Sequence, residues 1–340
     1  MRTGIVVGIT AALLGLILLL GAGDDAGPNA YVVIGVATGA LYGLVALGLV
    51  LVYKGSRVFN FAQGEFGTVA AFTVYVLIEQ VTSIKVPYYV AVVAGLAVAV
   101  ALGLMMERVV VRPLMNSPRV TLLVATIAFA LFVVGMQIVL FLPEAKTLRP
   151  MVATTGADGN PTGMEIFNYI VPPQNLIVIG VLAVLAVVLG YFFSKTDLGL
   201  AILATSQDSF ATRVVGIGVE RTSRFIWGSA AFLGGLAGIL YIPISGTLTP
   251  GAMTTGVLIP AFTAAVLGGM TSLPGAFLGG IVIGCVQSLA NWAGNSYSLT
   301  IGEAVKPLQT IIPGLPDVAI ILVLLIVLLA RPQGLLGSEA

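Results

Sequence analysis

KTDLGLAILATSQDSFATRVVGIGVERTSR, residues 195–224, is a polar island between two long apolar runs. The run before it ends at Phe193 and the run after it begins at Phe225. Apolar runs of about 20 residues are long enough to cross a hydrocarbon core, so the island reads as a loop between membrane spans. Ser206 can cap a short helix there, with Asp208 in the first turn, where the helix dipole favours negative charge. Phe210, Val214 and Ile217 fall at i, i+4 and i+7 and form one apolar stripe. Gly216 is placed to end that helix in a left-handed cap. Two readings of the stripe stand side by side. It lies on the bilayer or on its own bundle, or it docks into another protein.

The remaining composition agrees with a membrane protein. The 340 residues are 58% hydrophobic and 9% charged, with a mean hydropathy of +1.09. A soluble domain of this length cannot hide so much apolar surface. The runs do not alternate apolar and polar residues as barrel strands do. The expected class is therefore an all-α polytopic membrane protein, a single transmembrane domain over residues 1–340. About 8–10 transmembrane helices are expected, with broken or re-entrant segments. A net charge of +1 gives no sign of nucleic-acid binding. The single cysteine, Cys285, lies in an apolar run and reads as a packing residue. There are no histidines, which excludes a His-based metal site or proton relay.

Taken in order, residues 5–20 read as a retained first span, although a basic start and an apolar core also describe a signal peptide. A second span covers about 31–53, with Gly35, Gly39 and Gly43 spaced for close helix approach. KGSRVFNFAQGEFG, residues 54–67, is too polar to span and too apolar for an ordinary loop. Further spans follow at about 66–78, 88–106, 120–142 and 175–193, with an external loop at 143–173 and a cytoplasmic loop at 194–224. Residues 225–242 form a Gly-rich span, and ISGTLTPGAMTTG, residues 244–256, breaks helical order again. Residues 257–267 are apolar but short for a crossing; 276–292 and 317–330 complete the spans. AFTVYVL at 71–77 echoes AFTAAVL at 261–267, each after a polar, Gly-containing break. Broken helices in internal repeats are common beside transport paths.

Lys and Arg set the orientation. With the N-terminus cytoplasmic, Arg2, Lys54, Arg57, Arg108, Arg112, Arg119, Lys195, Arg213, Arg221, Arg224 and Arg331 fall inside. Only Lys85, Lys146, Arg149 and Lys306 fall outside. Both termini are then cytoplasmic in a multi-pass plasma-membrane protein.

The chemistry is sparse. No phosphate-binding Gly-x-x-x-x-Gly-Lys-Ser/Thr loop, zinc spacing, Ser-His-Asp set or carboxylate cluster occurs. An enzyme reading has no residues to stand on, and the chain carries no cofactor site. Glu107 and Asp317 fit span ends, but Glu65 sits beside Asn60 and Gln63 in the first break. An ionised group at membrane depth usually faces a cavity or a partner. The alternative is an ion pair with Lys54 or Arg57 at the surface. Asn60, Gln63 and Glu65 in the first break, with Thr247 and Thr249 in the second, are the candidate path residues.

NFAQGEFG, residues 60–67, resembles the signature after the second span of branched-chain amino acid ABC importer permeases, where His is common at the place of Gln63. Glu107-Arg108 with Arg112-Pro113-Leu114 and Ser117-Pro118-Arg119 is similar to the next family block. Residues 204–217 resemble the coupling loop. Leu267-Gly268-Gly269-Met270, Pro274-Gly275-Ala276 and the Arg331-Pro332-Gln333-Gly334-Leu335 tail continue the likeness in family order. The acidic position of the coupling motif is missing here, and Gln63 weakens any inference about substrate from that position.

The resemblance implies a permease subunit forming the path for branched-chain amino acids, with urea or short amides as relatives' cargo. Asp208, Phe210, Ala211, Val214, Gly216 and Ile217 would dock on an ATPase. Two permeases, two cytoplasmic ATPase subunits and an extracytoplasmic substrate-binding protein make up the implied machine, in contact with membrane lipid. ATP and magnesium would be used by the ATPases. The competing reading is a stand-alone ion-coupled carrier or channel for small solutes.

Overall fold

A computed structural model describes residues 28–81, 86–115, 117–153, 162–166, 169–207, 218–301, 304–331 and 333–336. The first expected span, residues 5–20, and most of the coupling segment, residues 208–217, lie outside these. The chain is almost wholly helical. α1 is Pro28–Ser56, and α2 is Gln63–Tyr75, continued by a π-turn at Val76–Gln80. α3 is Tyr88–Met106, continued by a π-turn at Glu107–Val111, and α4 is Arg119–Phe141. A small hairpin, β1 (Met164–Ile166) and β2 (Tyr169–Val171), leads into α5 (Pro173–Lys195) and α6 (Asp197–Gln207). α7 is Val219–Ser245, α8 Ala252–Gly256, α9 Leu258–Gly268 and α10 Leu273–Ser296. A second hairpin, β3 (Ser298–Ile301) and β4 (Ala304–Pro307), precedes the short α11 (Leu308–Ile311) and α12 (Leu315–Ala330).

Among the described residues, 6 helices are long and apolar enough to cross a membrane: α1, α3, α4, α5, α7 and α10. α9 and α12 are shorter apolar helices. With 11 residues, α9 is only about 16 Å long at 1.5 Å per residue, about half a hydrocarbon core. It is short for a full crossing, as residues 257–267 are in the sequence. α2 starts three residues before the expected Phe66, with Gln63, Gly64 and Glu65 already helical and buried.

The helices form an inverted repeat. α1 packs on α9 and α10, and α7 packs on α2 and α3. Likewise α2 packs on α3 and α4, as α9 packs on α10 and α12. Gly35 lies against Gly284 and Cys285, and Gly39 against Gly280 and Ile281, so α1 and α10 run antiparallel. Gly95 against Ile239 and Gly103 against Trp227 give α3 and α7 the same arrangement. α1 and α7 pack on each other, also antiparallel, with Gly48 beside Ala230 and Gly55 beside Ile226. Each half is thus a long helix, a non-helical break, a short helix and a long helix. The AFTVYVL and AFTAAVL echo falls on the equivalent short elements, α2 with its π-turn and α9.

Charge segregates by end. α1 finishes where α7 starts, which gathers Lys54, Arg221 and Arg224. Arg112 joins them through Glu220, at 2.8 Å. Lys54 Nζ sits 5.4 Å from the centre of the Phe193 ring, next to the end of α5. The opposite end holds Arg149 paired with Glu79 and Lys146 paired with Glu144. There Lys146 also forms a backbone bridge with Leu248, tying the loop after α4 to the break after α7.

Two local expectations need correction. The first part of the 195–224 island is helical, not loop. Thr196 caps α6, its hydroxyl accepting the Gly199 N–H at 3.1 Å, and Asp197 occupies the first turn. Ser206, read above as a cap, lies in the last turn of α6 instead. Glu107, placed at a low-cost span end, has a fully buried side chain and pairs with Arg112 at 3.4 Å. The α3 helix runs on through it as a π-turn, so the carboxylate points into the protein and takes its counter-charge from five residues on.

Candidate translocation path

The first break, between Ser56 and Gln63, carries the chain into the bundle with helix-type backbone bonds only at its ends, from the Arg57 N–H to Tyr53 and from the Gln63 N–H to Asn60, and its middle lacks them. Side chains replace them. Asn60 Oδ1 accepts the Ala62 N–H at 3.0 Å, an Asx turn that reverses the chain just before α2. Asn60 Nδ2 donates to Gln63 Oε1 at 3.1 Å, and Gln63 Nε2 donates to the Ala230 carbonyl on α7 at 2.8 Å. Thr126 on α4 takes the Phe61 N–H at 3.3 Å and donates toward the Leu123 carbonyl at 2.8 Å. All three polar side chains are buried, and each bond meets a group that would otherwise be orphaned inside the bundle.

Glu65 occupies the first turn of α2, where the helix dipole favours a carboxylate. It is fully buried. It forms no ion pair with Lys54 or Arg57 among the described residues. Its partner is Gln137 on α4, whose amide Nε2 donates to Glu65 Oε2 at 2.7 Å. Gln137 Oε1 in turn accepts the N–H of Gly251 at 3.0 Å. Gly251 lies in the second break with φ 73°, a left-handed conformation that favours glycine, and stands at the N-terminus of α8. Beside it, Thr68 Oγ1 accepts the Met253 N–H at 3.2 Å.

The two breaks therefore meet. α2, at the end of the first, packs on α8, at the end of the second. Close approach of α2 to α7 brings them together: a Cβ on Gly67 would stand 2.7 Å from the Gly234 carbonyl oxygen. On the basic side of this contact aromatic rings pack together. Phe59 and Phe61 pack on Phe262 of α9 with ring centres 5.3 and 6.2 Å apart. The void left among Leu49, Phe59, Asn60, Phe61, Leu258 and Phe262 is about 10 Å³, space for no more than one water.

Of the residues singled out in the sequence, Asn60, Gln63 and Glu65 come together in this buried network. Thr247 is exposed and Thr249 half-buried in the loop before α8. From that break it is Gly251, Met253 and Thr254 that reach α2. Asp208, Phe210, Ala211, Val214, Gly216 and Ile217 lie outside the described residues. Gln137 was not singled out, yet it joins the two breaks. Its signal was present as a lone amide in the apolar run of α4.

An inverted repeat whose paired broken helices meet at a buried polar site between the halves defines a membrane transport subunit. Comparison with known proteins makes the class specific. The model of the branched-chain amino acid transport system permease component family matches residues 31–330, and the chain belongs to that family. It is 31% identical over 312 residues to the high-affinity branched-chain amino acid transport permease BraD of Pseudomonas aeruginosa, covering 89% of this chain and 94% of BraD. It is 27% identical over 311 residues to LivH of Escherichia coli K12, the permease of a high-affinity system of the same kind, with 89% and 93% covered. The solved structure of PsaBC from Streptococcus pneumoniae in complex with Fab aligns with a TM-score of 0.44 at 13% identity, over 90% of this chain and 91% of that one. The protein is thus a multi-pass translocation subunit of a transport system.

Proposed function

We propose that this subunit imports branched-chain amino acids as part of an ATP-driven complex. The observation that carries the reading is the meeting of both breaks at Glu65 and Gln137 in a chain of this family. A buried carboxylate suits the ammonium of a zwitterion, and the apolar walls suit an aliphatic side chain. In this reading a second, related permease completes the path. Two cytoplasmic ATPases bind ATP and magnesium, and an extracytoplasmic binding protein delivers the substrate. The chain itself catalyses no reaction. Urea or short amides are the second substrate reading, favoured by the Asn60–Gln63 amide pair.

The basic end then faces the cytoplasm, together with both termini. A cysteine at Ser206 should label only from the cytoplasm, and one at Thr155 only from outside, in a Cys285→Ser background. Labelling of both from one side would reject this orientation.

The coupling helix is the functional test. Phe210, Val214 and Ile217 place an apolar stripe on a segment too short to be stable alone, since isolated helices need roughly 12–15 residues. Docked on an ATPase, each large apolar side chain contributes about 1.5–3 kcal/mol. Phe210→Asp should leave the permease in the membrane, lower ATPase co-purification by roughly tenfold or more, and uncouple hydrolysis from leucine uptake in liposomes. Full ATPase binding and coupled uptake by the variant would remove the docking role. Uptake by the permease alone would establish the stand-alone carrier instead.

A further inference from the structure

At the meeting of the breaks Glu65 Oε1 and Thr254 Oγ1 lie buried within reach of each other, and neither has any further hydrogen-bond partner among the described residues. They are neighbours, one on each broken element; a Cβ placed on Gly64 would stand 2.5 Å from Thr254 Oγ1. The other carboxylate oxygen, Glu65 Oε2, holds the Gln137 amide, and that same side chain holds the Gly251 N–H. One amide therefore ties the first turn of α2 to the residue that starts α8. No cation reaches the carboxylate among the described residues, an arrangement costly for a buried acid unless a positive group visits it.

We infer that Gln137 is a displaceable latch: its NH₂ stands in for the ammonium of an amino-acid substrate, and substrate arrival at Glu65 and Thr254 frees Gly251 and α8. The inference rests on the function proposed above. An ammonium carries three N–H donors and a full charge, whereas the amide carries two donors and none. An ammonium adds a charge–charge attraction to the carboxylate that a neutral amide lacks, so ammonium wins the exchange and a neutral solute does not. The latch has to be the weaker ligand. A lysine at 137 would pair with Glu65 permanently and bar the substrate ammonium, while, with no acceptor for the Gly251 N–H, it would tie only one of the breaks. An apolar residue would never hold them.

Two substitutions at one position therefore shift function in opposite directions. Gln137→Met keeps the length and volume of the side chain but makes neither bond. It should raise ATP hydrolysis in the absence of the binding protein by about fivefold or more, the scale of an ordinary coupling between sites. Gln137→Lys should lower leucine uptake at least about tenfold while leaving the complex assembled. Both are measured in liposomes holding the two permeases and the ATPases, with and without the binding protein. A residue that only packs would reduce uptake in both variants and leave receptor-free hydrolysis unchanged, and that result overturns the latch. If Gln137→Met does not assemble, Gln137→Asn, one carbon too short to span Glu65 and Gly251, is read the same way. Wild-type complex that fails to import leucine with ATP overturns the importer reading itself, so the two failures are separate.

Discussion

Glu65→Gln should abolish most amino-acid import while the subunit still folds and assembles. Glutamine has nearly the same shape, and its amide oxygen can still accept the Gln137 Nε2–H that now lies 2.7 Å from Glu65 Oε2. The substitution therefore preserves the tie between α2 and α4 and removes only the charge. What is lost is the attraction for a substrate ammonium. Hydrogen bonds to a charged group are worth about 1.5–3 kcal/mol, so uptake at limiting substrate should fall roughly ten- to hundredfold. Glu65→Ala removes the tie as well and should cost stability in addition. The measurement is leucine uptake in liposomes beside the thermal stability of the purified complex. Unchanged uptake by Glu65→Gln would show that the carboxylate has no part in handling the cargo. Undiminished transport of a neutral amide by the same variant would favour the amide reading of the substrate.

Gly39→Leu should prevent the subunit from assembling at all. α1 and α10 approach so closely that a Cβ at Gly39 would stand 2.6 Å from the Gly280 carbonyl oxygen and 2.7 Å from Ile281 Cα. These are backbone atoms, which cannot swing aside as a side-chain tip can. Overpacking usually costs about 1–3 kcal/mol, and more where the backbone must move. Against a total stability of about 5–15 kcal/mol, Gly39→Ala should already lower the unfolding midpoint, and leucine should exceed what the fold tolerates. Size-exclusion profiles of detergent-solubilised protein would measure this. A monodisperse Gly39→Leu subunit would mean that α1 and α10 are not held at this distance. Within the bilayer apolar surface alone does not drive helices together, so the close contact at this seam is itself a main source of the stabilisation.

The sequence made the class legible because membrane spans leave a one-dimensional mark. Apolar length, the clustering of Lys and Arg in alternate loops, and the polar interruptions at residues 54–67 and 244–256 are all local. Glu65 stood out for the same reason, as a carboxylate between apolar runs. Residues 257–267 also read as too short for a full crossing, and α9 has only 11 residues. Helix ends were less legible. Asp197–Gln207 reads as part of a polar island, yet it is helical, because one threonine hydroxyl caps it and it packs on α1, α5 and α7, with Ile202 buried. Glu107 reads as a span-end residue, where the Tyr88–Val111 span has it, but its burial against Arg112 was not legible because a π-turn leaves no signature in residue types.

By itself, then, the sequence determined the all-helical membrane class, the two breaks, the segregation of charge and the family. Tertiary structure alone decided what the breaks meet. Gln137 lies 72 residues from Glu65 and 114 from Gly251, and no spacing rule relates the three. Thr247 and Thr249, suited by composition, remain outside the buried contact, whereas Gly251 enters it through a backbone N–H that has no sequence signal. The physical reason is the inverted packing of two halves. Antiparallel α1 and α7 bring the starts of α2 and α8 to one place, and at membrane depth each polar group there must find its partner in whichever chain segment the packing delivers.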